Sequence, residues 1–360
     1  MLHELRVKIY RKIRFKTWYR KMYHYHSKRD KLDGIIRTHK SPEELSDKRY
    51  YNSLRRDMIH CLLKYGAYYV EYFSFGFEGK DEAYRSSFIT EGIRMSFYPR
   101  MNDAKNTDSI ENKFRCYKRF KDLYKRDVIC IRKRDEESEE AIAQLADFGA
   151  KHEKFIVKPI YAAFGKGVHM ESLSDYESPA DAYRAYHEQG AVLEEIIEQG
   201  AAMAAIHPDS VNTLRMPTVV IKGADGEPEV RLFHPSLRVG RNGSVVDNFS
   251  AGGITALIDP ESGKLYTDGV DKKGNSYECH PDTGVRFKGY QIPEWGEAVK
   301  MVKAAALSVP GNHYCGWDLA YTAQRGWCMV EANSTAQMGG MQIVTKTGRR
   351  AELEALIAKM

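Results

Sequence analysis

The chain has 360 residues, of which 42% are hydrophobic and 29% charged, so it can bury a core and is not intrinsically disordered. Its apolar runs are too short for a membrane-spanning helix. The net charge of +6 is unevenly placed, because residues 1–40 contain 13 Lys and Arg against three acidic residues, which leaves −4 on the remaining 320. A basic body is therefore excluded, and only the N-terminal segment is basic.

Residues 6–28 mix basic side chains with Trp18 and several tyrosines. Three interpretations stay open: peripheral contact of residues 1–28 with an anionic membrane surface, a nucleic-acid arm, or a helix that packs on the body. We expect no nucleic-acid partner. Six dispersed cysteines without a CxxC pair, and an N-terminus without a signal peptide, predict a cytoplasmic protein, at the inner face of the membrane if the basic segment binds there.

The hydrophobic pattern predicts helices and strands in a mixed order. Residues 1–105 are predicted to be mostly helical. The following elements are a helix at 139–150, a strand at 155–157, a turn at 165–167, a helix at 180–187, strands at 192–193, 213–221, 230–239, 254–258 and 264–266, a helix at 294–307, a hairpin of 316–322 with 327–332, and a helix at 351–359. This order indicates an α+β protein with antiparallel sheets.

The last hairpin carries the sharpest chemical signal. A four-residue loop at 323–326 would pair Thr322 with Trp327 and Asp318 with Glu331. Opposed carboxylates about 5 Å apart repel each other, so we expect a cation, with Asn333 on the same face as a third oxygen ligand for Mg²⁺. The alternative is a solvated pair, and a register slip of one residue would separate the two carboxylates.

A second set of residues is typical of phosphate binding. Lys158 ends the strand at 155–157, and Gly165, Lys166 and Gly167 form a turn whose N–H groups could approach an anion. The segment is neither a Walker A motif nor a dinucleotide fingerprint. The strand at 192–193 then leads into Glu194 and Glu195. The twelve histidines follow no metal-binding spacing, and His207 is expected to cap the turn before Asn212.

In this order, these residues resemble the ATP-grasp superfamily over about residues 110–345. Asn212–Arg215, Asp247-Asn248 and Gly252–Ile254 resemble its sugar-transfer-associated branch. The resemblance implies an α+β ATP-grasp fold with the nucleotide between two antiparallel-sheet lobes, plus a mostly helical N-terminal region. The implied segments are 1–105 (basic, helical), 106–198 (the central nucleotide lobe) and 199–360 (the C-terminal catalytic lobe).

The resemblance also implies a site for ATP and two Mg²⁺ ions. Glu194 would face the adenine amino group, and the backbone of Glu195 and Ile197 would read the base edge. Phosphates would be bound by Lys158 and by Lys118, with Lys113 as second choice, under the loop of Gly165, Lys166 and Gly167. The metal ligands would be Asp318, Glu331 and Asn333. Arg215 would stabilise the acyl phosphate, and Arg238 and Arg241 would hold the acceptor carboxylate unless they are surface arginines.

The implied activity is that of an ATP-dependent ligase that forms a C–N bond through an acyl phosphate. In the sugar-transfer branch, the expected substrates are a small-molecule or lipid-linked sugar carboxylate (a uronic acid) and an amino acid or amine, in polysaccharide biosynthesis. Two alternatives remain: an ATP-grasp kinase that phosphorylates a hydroxyl, and a nucleotide-binding scaffold of glycan assembly machinery.

Overall fold

The computed structural model of the chain describes residues 20, 24, 26–161, 167–244, 247, 249 and 252–360. Most of the basic segment, together with Gly165, Lys166 and Asn248, lies outside the described residues. The chain forms two compact units: one runs up to Tyr98 and includes Gln337–Ala355, and the other consists of Pro99–Ala336 and Leu356–Met360. The division at residues 105 and 198 stays a prediction.

The first unit is helical in its described part, in agreement with the prediction for the N-terminal region. Its helices are α1 (Arg29–His39), α2 (Lys48–Tyr65), α3 (Tyr69–Ser74), α4 (Glu82–Ser86), most of α5 (Glu91–Met101), α12 (Gly339–Thr345) and most of α13 (Arg350–Ile357). The Asp47 carboxylate caps α2 by accepting from the N–H groups of Arg49 and Tyr50, and Gly66 ends that helix in a left-handed conformation, as helix ends commonly do.

Aromatic packing and one buried amide hold the first unit together. Phe75, Phe77 and Phe88 are each at most 1% exposed and pack with ring centroids 4.8–5.8 Å apart. The buried side chain of Gln342 accepts from Ile89 N (2.8 Å) and donates to Ile89 O (3.0 Å). Since buried amides need such partners, Gln342 fixes α12 to the chain at residue 89.

The second unit contains both sheets. Its further elements are α6 (Ala104–Glu111), α7 (Lys113–Tyr124), β1 (Val128–Ile131), α8 (Glu139–Lys151), β2 (Phe155–Pro159), β3 (His169–Glu171), α9 (Pro179–Gln189), β4 (Ala191–Glu195), α10 (Ala201–Ala204), β5 (Thr213–Lys222), β6 (Pro228–Leu232), β7 (Ser236–Val239), β8 (Ile254–Leu257), β9 (Gly269–Asp271), β10 (Ser276–Tyr277), α11 (Trp295–Leu307), β11 (Tyr314–Thr322) and β12 (Gly326–Asn333). The predicted α+β class with antiparallel sheets is confirmed.

The smaller sheet has the order β1-β4-β2-β3, and its two faces differ in chemistry. Phe155, Val157 and Leu193 pack in one buried cluster with side chains of α8 and α9. Because side chains alternate along a strand, Lys158 and Glu194 project from the opposite face. The helices that cover the first face begin at capping serines, Ser138 and Ser178.

The larger sheet has the order β10-β9-β8-β7-β5-β11-β12, with β6 also on β5. The single strand predicted at 230–239 is wrong, because the structure divides it into β6 and β7. Both pair with β5, and the register changes by one residue opposite Pro217. Pro217 has no N–H to donate to the ladder, which explains why the pairing lapses there.

The core of the second unit lies against the larger sheet. Trp317, Leu319 and Met329 are fully buried and belong to one cluster with Val302 of α11. Asp318, between Trp317 and Leu319, therefore projects to the other side, and Glu331 shares that side because it pairs with Asp318 beyond a register shift in β12. Among the described residues, none of the helices has both the length and the hydropathy that a membrane span needs.

Candidate active site

The hairpin β11–β12 brings Asp318 directly opposite Glu331, as predicted. The predicted register is wrong nearer the turn, where Thr322 pairs with Gly326 rather than with Trp327. Val330 is an extra residue between the Leu319–Met329 and Asp318–Glu331 pairs, which is a β-bulge. The three-residue loop and the bulge shift the register in opposite directions, so the two carboxylates still meet.

Asp318 is held by two arginines from neighbouring strands. Arg215 lies opposite Asp318 on β5 and binds it through two parallel bonds, Nε–Oδ1 (2.5 Å) and Nη2–Oδ2 (2.9 Å). Arg238 of β7 adds an ion pair from Nη2 to Oδ2 at 2.8 Å. Burial alone would raise the pKa of Asp318, but the two guanidinium groups outweigh it and lower this pKa to about 2. Asp318 is therefore ionised in the folded protein.

This arrangement changes the argument for a metal ion at Asp318. The sequence predicts that opposed carboxylates need a cation, and the structure supplies Arg215 and Arg238 as cations on the protein itself. Glu331 differs from Asp318: it is half-buried, and its carboxylate accepts a 3.2 Å hydrogen bond from the Asn333 amide. Burial and the charge of Asp318 raise the pKa of Glu331.

The donor set fits a magnesium ion. Glu331 offers a carboxylate whose ionised form is disfavoured by burial and by its neighbour, and a divalent cation would relieve both effects. The side-chain oxygen of Asn333 is left for a ligand, since its nitrogen donates to Glu331. Oxygen donors with room for water are what Mg²⁺ requires. Glu331 and Asn333 could therefore hold the ion, with Asp318 beside it.

On the smaller sheet, Lys158 and Glu194 form a buried ion-pair cluster with Arg126, which precedes β1. The Nζ of Lys158 lies 2.8 Å from Glu194 Oε2, and Arg126 Nη2 lies 2.5 Å from the same oxygen. Arg126 also donates to the backbone carbonyl of Met329 on β12. Burial would raise the pKa of Glu194, but Arg126 and Lys158 lower it to about 2. The cluster thus links the two sheets and fixes the position of the Lys158 ammonium.

The resemblance assigns Glu194 a contact with the adenine amino group, but the structure shows that this side chain already has two partners. Glu194 is only 4% exposed, and its carboxylate is already bound by two cations. In the described structure, Glu194 acts on Lys158 and Arg126, and any contact with a base would be made in addition to them.

Of the two candidate upstream lysines, Lys113, the second choice by sequence, lies near the other charged residues of the site. Lys113 is the first residue of α7 and is partly buried. It lies within electrostatic range of Glu331, Lys158 and Glu194, and burial lowers its pKa. Lys118 is exposed, because five residues along a helix turn the side chain by about 140°. The preference for Lys118 is not supported by its position.

The glycine loop is described only at its end. Gly165 and Lys166 lie outside the described residues, whereas Gly167 has a φ of +71° and leaves no room for a side chain, since an added Cβ would lie 2.9 Å from Pro159 Cγ. Gly167 thus permits a tight return of the chain onto the end of β2, next to Lys158.

A cleft of about 190 Å³ lies beside the end of β4 and is lined in part by Glu195, Ile196, Ile197, Arg126 and Cys328. The Glu195 side chain faces Arg325, with two contacts of 2.9 Å. The backbone from Glu195 to Ile197, which the resemblance assigns to a base edge, therefore borders a cavity.

The three predicted arginines do not form one cluster. Arg215 and Arg238 share Asp318, and Arg238 also donates to Thr213 Oγ1 (2.8 Å). Arg241 instead contacts Asp271 (3.1 Å) and stacks on the ring of Tyr277. Arg215 and Arg238 thus act as a pair, and Arg241 has separate partners.

Sequence reasoning missed two residues of the site. Arg126 stands in a run of basic residues, Lys125-Arg126, whose spacing gives no hint of burial. Glu111 accepts from Ser334 Oγ (2.7 Å) and Thr335 N (3.2 Å) and so fixes the chain directly after Asn333. In the sequence, the one indication that Glu111 belongs to the site is its position two residues before Lys113.

Comparison with solved structures gives distant similarities. The chain is 16% identical to the ATP-grasp ligase PsnB complexed with a minimal precursor, covering 72% of this chain and 64% of that one at a TM-score of 0.43. It is 12% identical to D-alanyl-alanine synthetase A from Vibrio cholerae, covering 69% and 65% at a TM-score of 0.42. The chain thus spans just under two thirds of each. No curated protein matches the sequence.

The family assignment rests on the match of this chain to a family sequence profile. The profile described as sugar-transfer associated ATP-grasp matches residues 93–357, which is well over half of the chain and includes both sheets, Lys113, Lys158 and the Asp318 hairpin. The chain belongs to the sugar-transfer associated ATP-grasp family.

Proposed function

We propose that the protein is an ATP-dependent ligase that joins a carboxylate to an amine through an acyl phosphate. The observation that carries the proposal is that Lys113 and Lys158 both lie within electrostatic range of Glu331. Ammonium groups suit a polyphosphate, and a carboxylate near them suits its metal ion.

The proposed reaction has two balanced steps. An oxygen of the substrate carboxylate attacks the γ-phosphorus of ATP, the bond to the β–γ bridging oxygen breaks, and ADP leaves. The amine nitrogen then attacks the acyl carbon, the C–O bond to the phosphoryl group breaks, and phosphate leaves as the nitrogen loses a proton. Neither step needs a nucleophile from the protein, so positioning and charge neutralisation carry the catalysis.

Lys158 would hold a phosphate of ATP in a fixed place. Its ammonium is bound by Glu194, which is buried and shared with Arg126, so the side chain loses little freedom when a phosphate binds. A bound Mg²⁺ on Glu331 and Asn333, beside Asp318, would neutralise charge on the phosphates.

Arg215 and Arg238 would serve the carboxylate substrate. A planar guanidinium group can bind two carboxylate or phosphate oxygens at once. Both arginines are ion-paired with Asp318, which fixes their positions. We propose that Arg215 stabilises the charge on the acyl phosphate and that Arg238 orients the substrate carboxylate.

For the substrates, we propose a sugar carboxylate and an amino acid or simple amine, in polysaccharide biosynthesis. The support is the sugar-transfer association of the family. The adenine would occupy the cleft beside Glu195–Ile197. The basic segment of residues 1–28 would hold the protein at an anionic membrane surface at the cytoplasmic side, where lipid-linked sugars are available.

The decisive experiment measures ADP and phosphate release together, over a panel of uronic acids and amines. A ligase releases both in equal amounts, and only when carboxylate and amine are both present. ADP release without phosphate, with a phosphorylated sugar as product, would identify a kinase, and ATP binding without turnover would identify a scaffold. Either result would refute the ligase.

The site assignment is tested by Glu331→Gln, with Glu188→Gln as control on the exposed surface of α9. The first variant should lower kcat by at least about 100-fold, as expected when electrostatic stabilisation of the transition state is removed, and should need more Mg²⁺ for half-maximal rate. Full activity of Glu331→Gln would refute the assignment.

A further inference from the structure

A second cluster of metal-ligating side chains lies outside the proposed active site. His207, between α10 and β5, and His280 and Asp282, between β10 and α11, each place one ligand atom within 4.8 Å of the others. Both histidines are buried, and Asp282 is exposed. His207 lies 73 residues before His280 in the sequence, so the cluster forms no motif along the chain.

His207 contains a polar atom that the protein leaves unsatisfied. The residue is 0% exposed, and its Nε2 lies 3.1 Å from the carbonyl oxygen of Ser244. Since a carbonyl only accepts, Nε2 carries the proton and Nδ1 presents a lone pair. This buried Nδ1 has no hydrogen-bond partner and lies 3.6 Å from Asp282 Oδ2. A lone pair that faces a carboxylate calls for a cation between them.

His280 is oriented in the same way. Its Nε2 lies 2.8 Å from Gly240 O, so Nε2 donates and Nδ1 carries the lone pair, which accepts a long hydrogen bond of 3.3 Å from Asp282 N that a metal ion would replace. Metal-binding histidines characteristically donate their second ring N–H to a carbonyl or carboxylate, which fixes the tautomer and the ring. Both histidines of this cluster have that second partner.

The spacing matches a tetrahedral metal. Bonds of about 2.0–2.1 Å to nitrogen and oxygen at tetrahedral angles separate two ligand atoms by about 3.4 Å, close to the 3.6 Å between His207 and Asp282. We propose that His207, His280 and Asp282 bind one zinc ion, with water from the exposed side of Asp282 as the fourth ligand. Two imidazoles and one carboxylate favour zinc over magnesium.

The ion would fasten the segment that follows β7. Asp282 also accepts from Asn242 N at 2.6 Å, and Gly240 lies so close to His207 that an added Cβ would be 2.9 Å from its ring. The metal would therefore tie three segments of chain together a few residues after Arg238. Because His207, His280 and Asp282 take no part in the proposed active site, the proposal is independent of the ligase reaction.

The test uses the full-length chain without a histidine tag. After EDTA treatment and removal of the chelator, zinc is added, and bound metal is measured by mass spectrometry and the melting temperature by calorimetry. We expect one zinc per chain and a melting temperature several degrees higher with zinc. Cobalt in its place should give the visible absorption of a tetrahedral site. No retained metal and no shift with zinc would overturn the proposal and leave His207 in direct contact with Asp282.

Asp282→Asn is the sharpest variant, because its amide oxygen can still accept from Asn242 N while the charged ligand is lost. It should weaken zinc binding by at least about 10-fold. His187→Ala is the matched control, since His187 also contacts a backbone carbonyl, Asp135 O at 2.8 Å, but belongs to α9. It should bind zinc as the wild type does. Wild-type affinity in Asp282→Asn would overturn the proposal.

Discussion

The buried cluster of Glu194, Lys158 and Arg126 makes the most direct prediction. Replacing Glu194 with Gln keeps the shape but leaves two buried cations without their carboxylate. In the folded protein the pKa of Glu194 is about 2, against an ordinary value of 4.5. This lowering of the pKa, at about 1.4 kcal/mol per pH unit, corresponds to about 3 kcal/mol, similar to the 3–5 kcal/mol lost when one partner of a buried pair is removed.

The stability that Glu194 contributes should decrease when the pH falls. Because the folded-state pKa lies below the unfolded value, the contribution of Glu194 is complete above about pH 4.5 and disappears as the pH falls towards 2. The difference in unfolding free energy between wild type and Glu194→Gln should therefore be about 3 kcal/mol at pH 7 and shrink between pH 4.5 and 2.

Urea unfolding of both proteins over this pH range measures the difference directly. Glu188→Gln is the control, because Glu188 is exposed on α9 and its replacement should change stability by less than about 0.5 kcal/mol. If Glu194→Gln unfolds with the same free energy as the wild type at pH 7, the cluster does not stabilise the junction of the two sheets, contrary to this prediction.

Three further predictions concern the same site. Lys113→Ala should weaken ADP binding by about 10-fold or more in calorimetric titration, because Lys113 lies within electrostatic range of Lys158 and Glu331. Lys118→Ala should bind ADP as the wild type does, and equal effects of the two variants would contradict the assignment of the lysine. Asp318→Asn should lower the rate of ADP release by at least about 100-fold and the unfolding free energy by about 3 kcal/mol, because Arg215 and Arg238 lose their shared carboxylate. Wild-type kinetics would show that the two arginines do not need Asp318 for their role in the reaction. Gly316→Ala should destabilise the protein by about 1–3 kcal/mol in thermal unfolding. The reason is that an added Cβ would lie 2.4 Å from Ala336 Cβ and 3.2 Å from Arg215 Cδ. Unchanged stability would mean that the strand of Arg215 can move to accept the methyl group without cost.

Local chemistry was readable from the sequence where neighbours in the chain decide it. Lys158 at the end of an apolar strand and the Asp318–Glu331 hairpin both follow from spacing and turn residues within about fifteen positions. The helical N-terminal region and the antiparallel sheets followed from periodicity in the same way. Even so, the register of the hairpin was right at Asp318 only because the bulge at Val330 offset an error in the turn.

The tertiary structure decided which charge meets which. Asp318 is neutralised by arginines on β5 and β7, which lie 103 and 80 residues earlier in the chain, respectively, and Arg126 contacts Glu194 across 68 residues. Pairing at such distances depends on strand order and on the face from which each side chain projects, neither of which a local pattern contains. For the same reason the choice between Lys113 and Lys118, and the cluster of His207, His280 and Asp282, became visible only when the folded chain placed them.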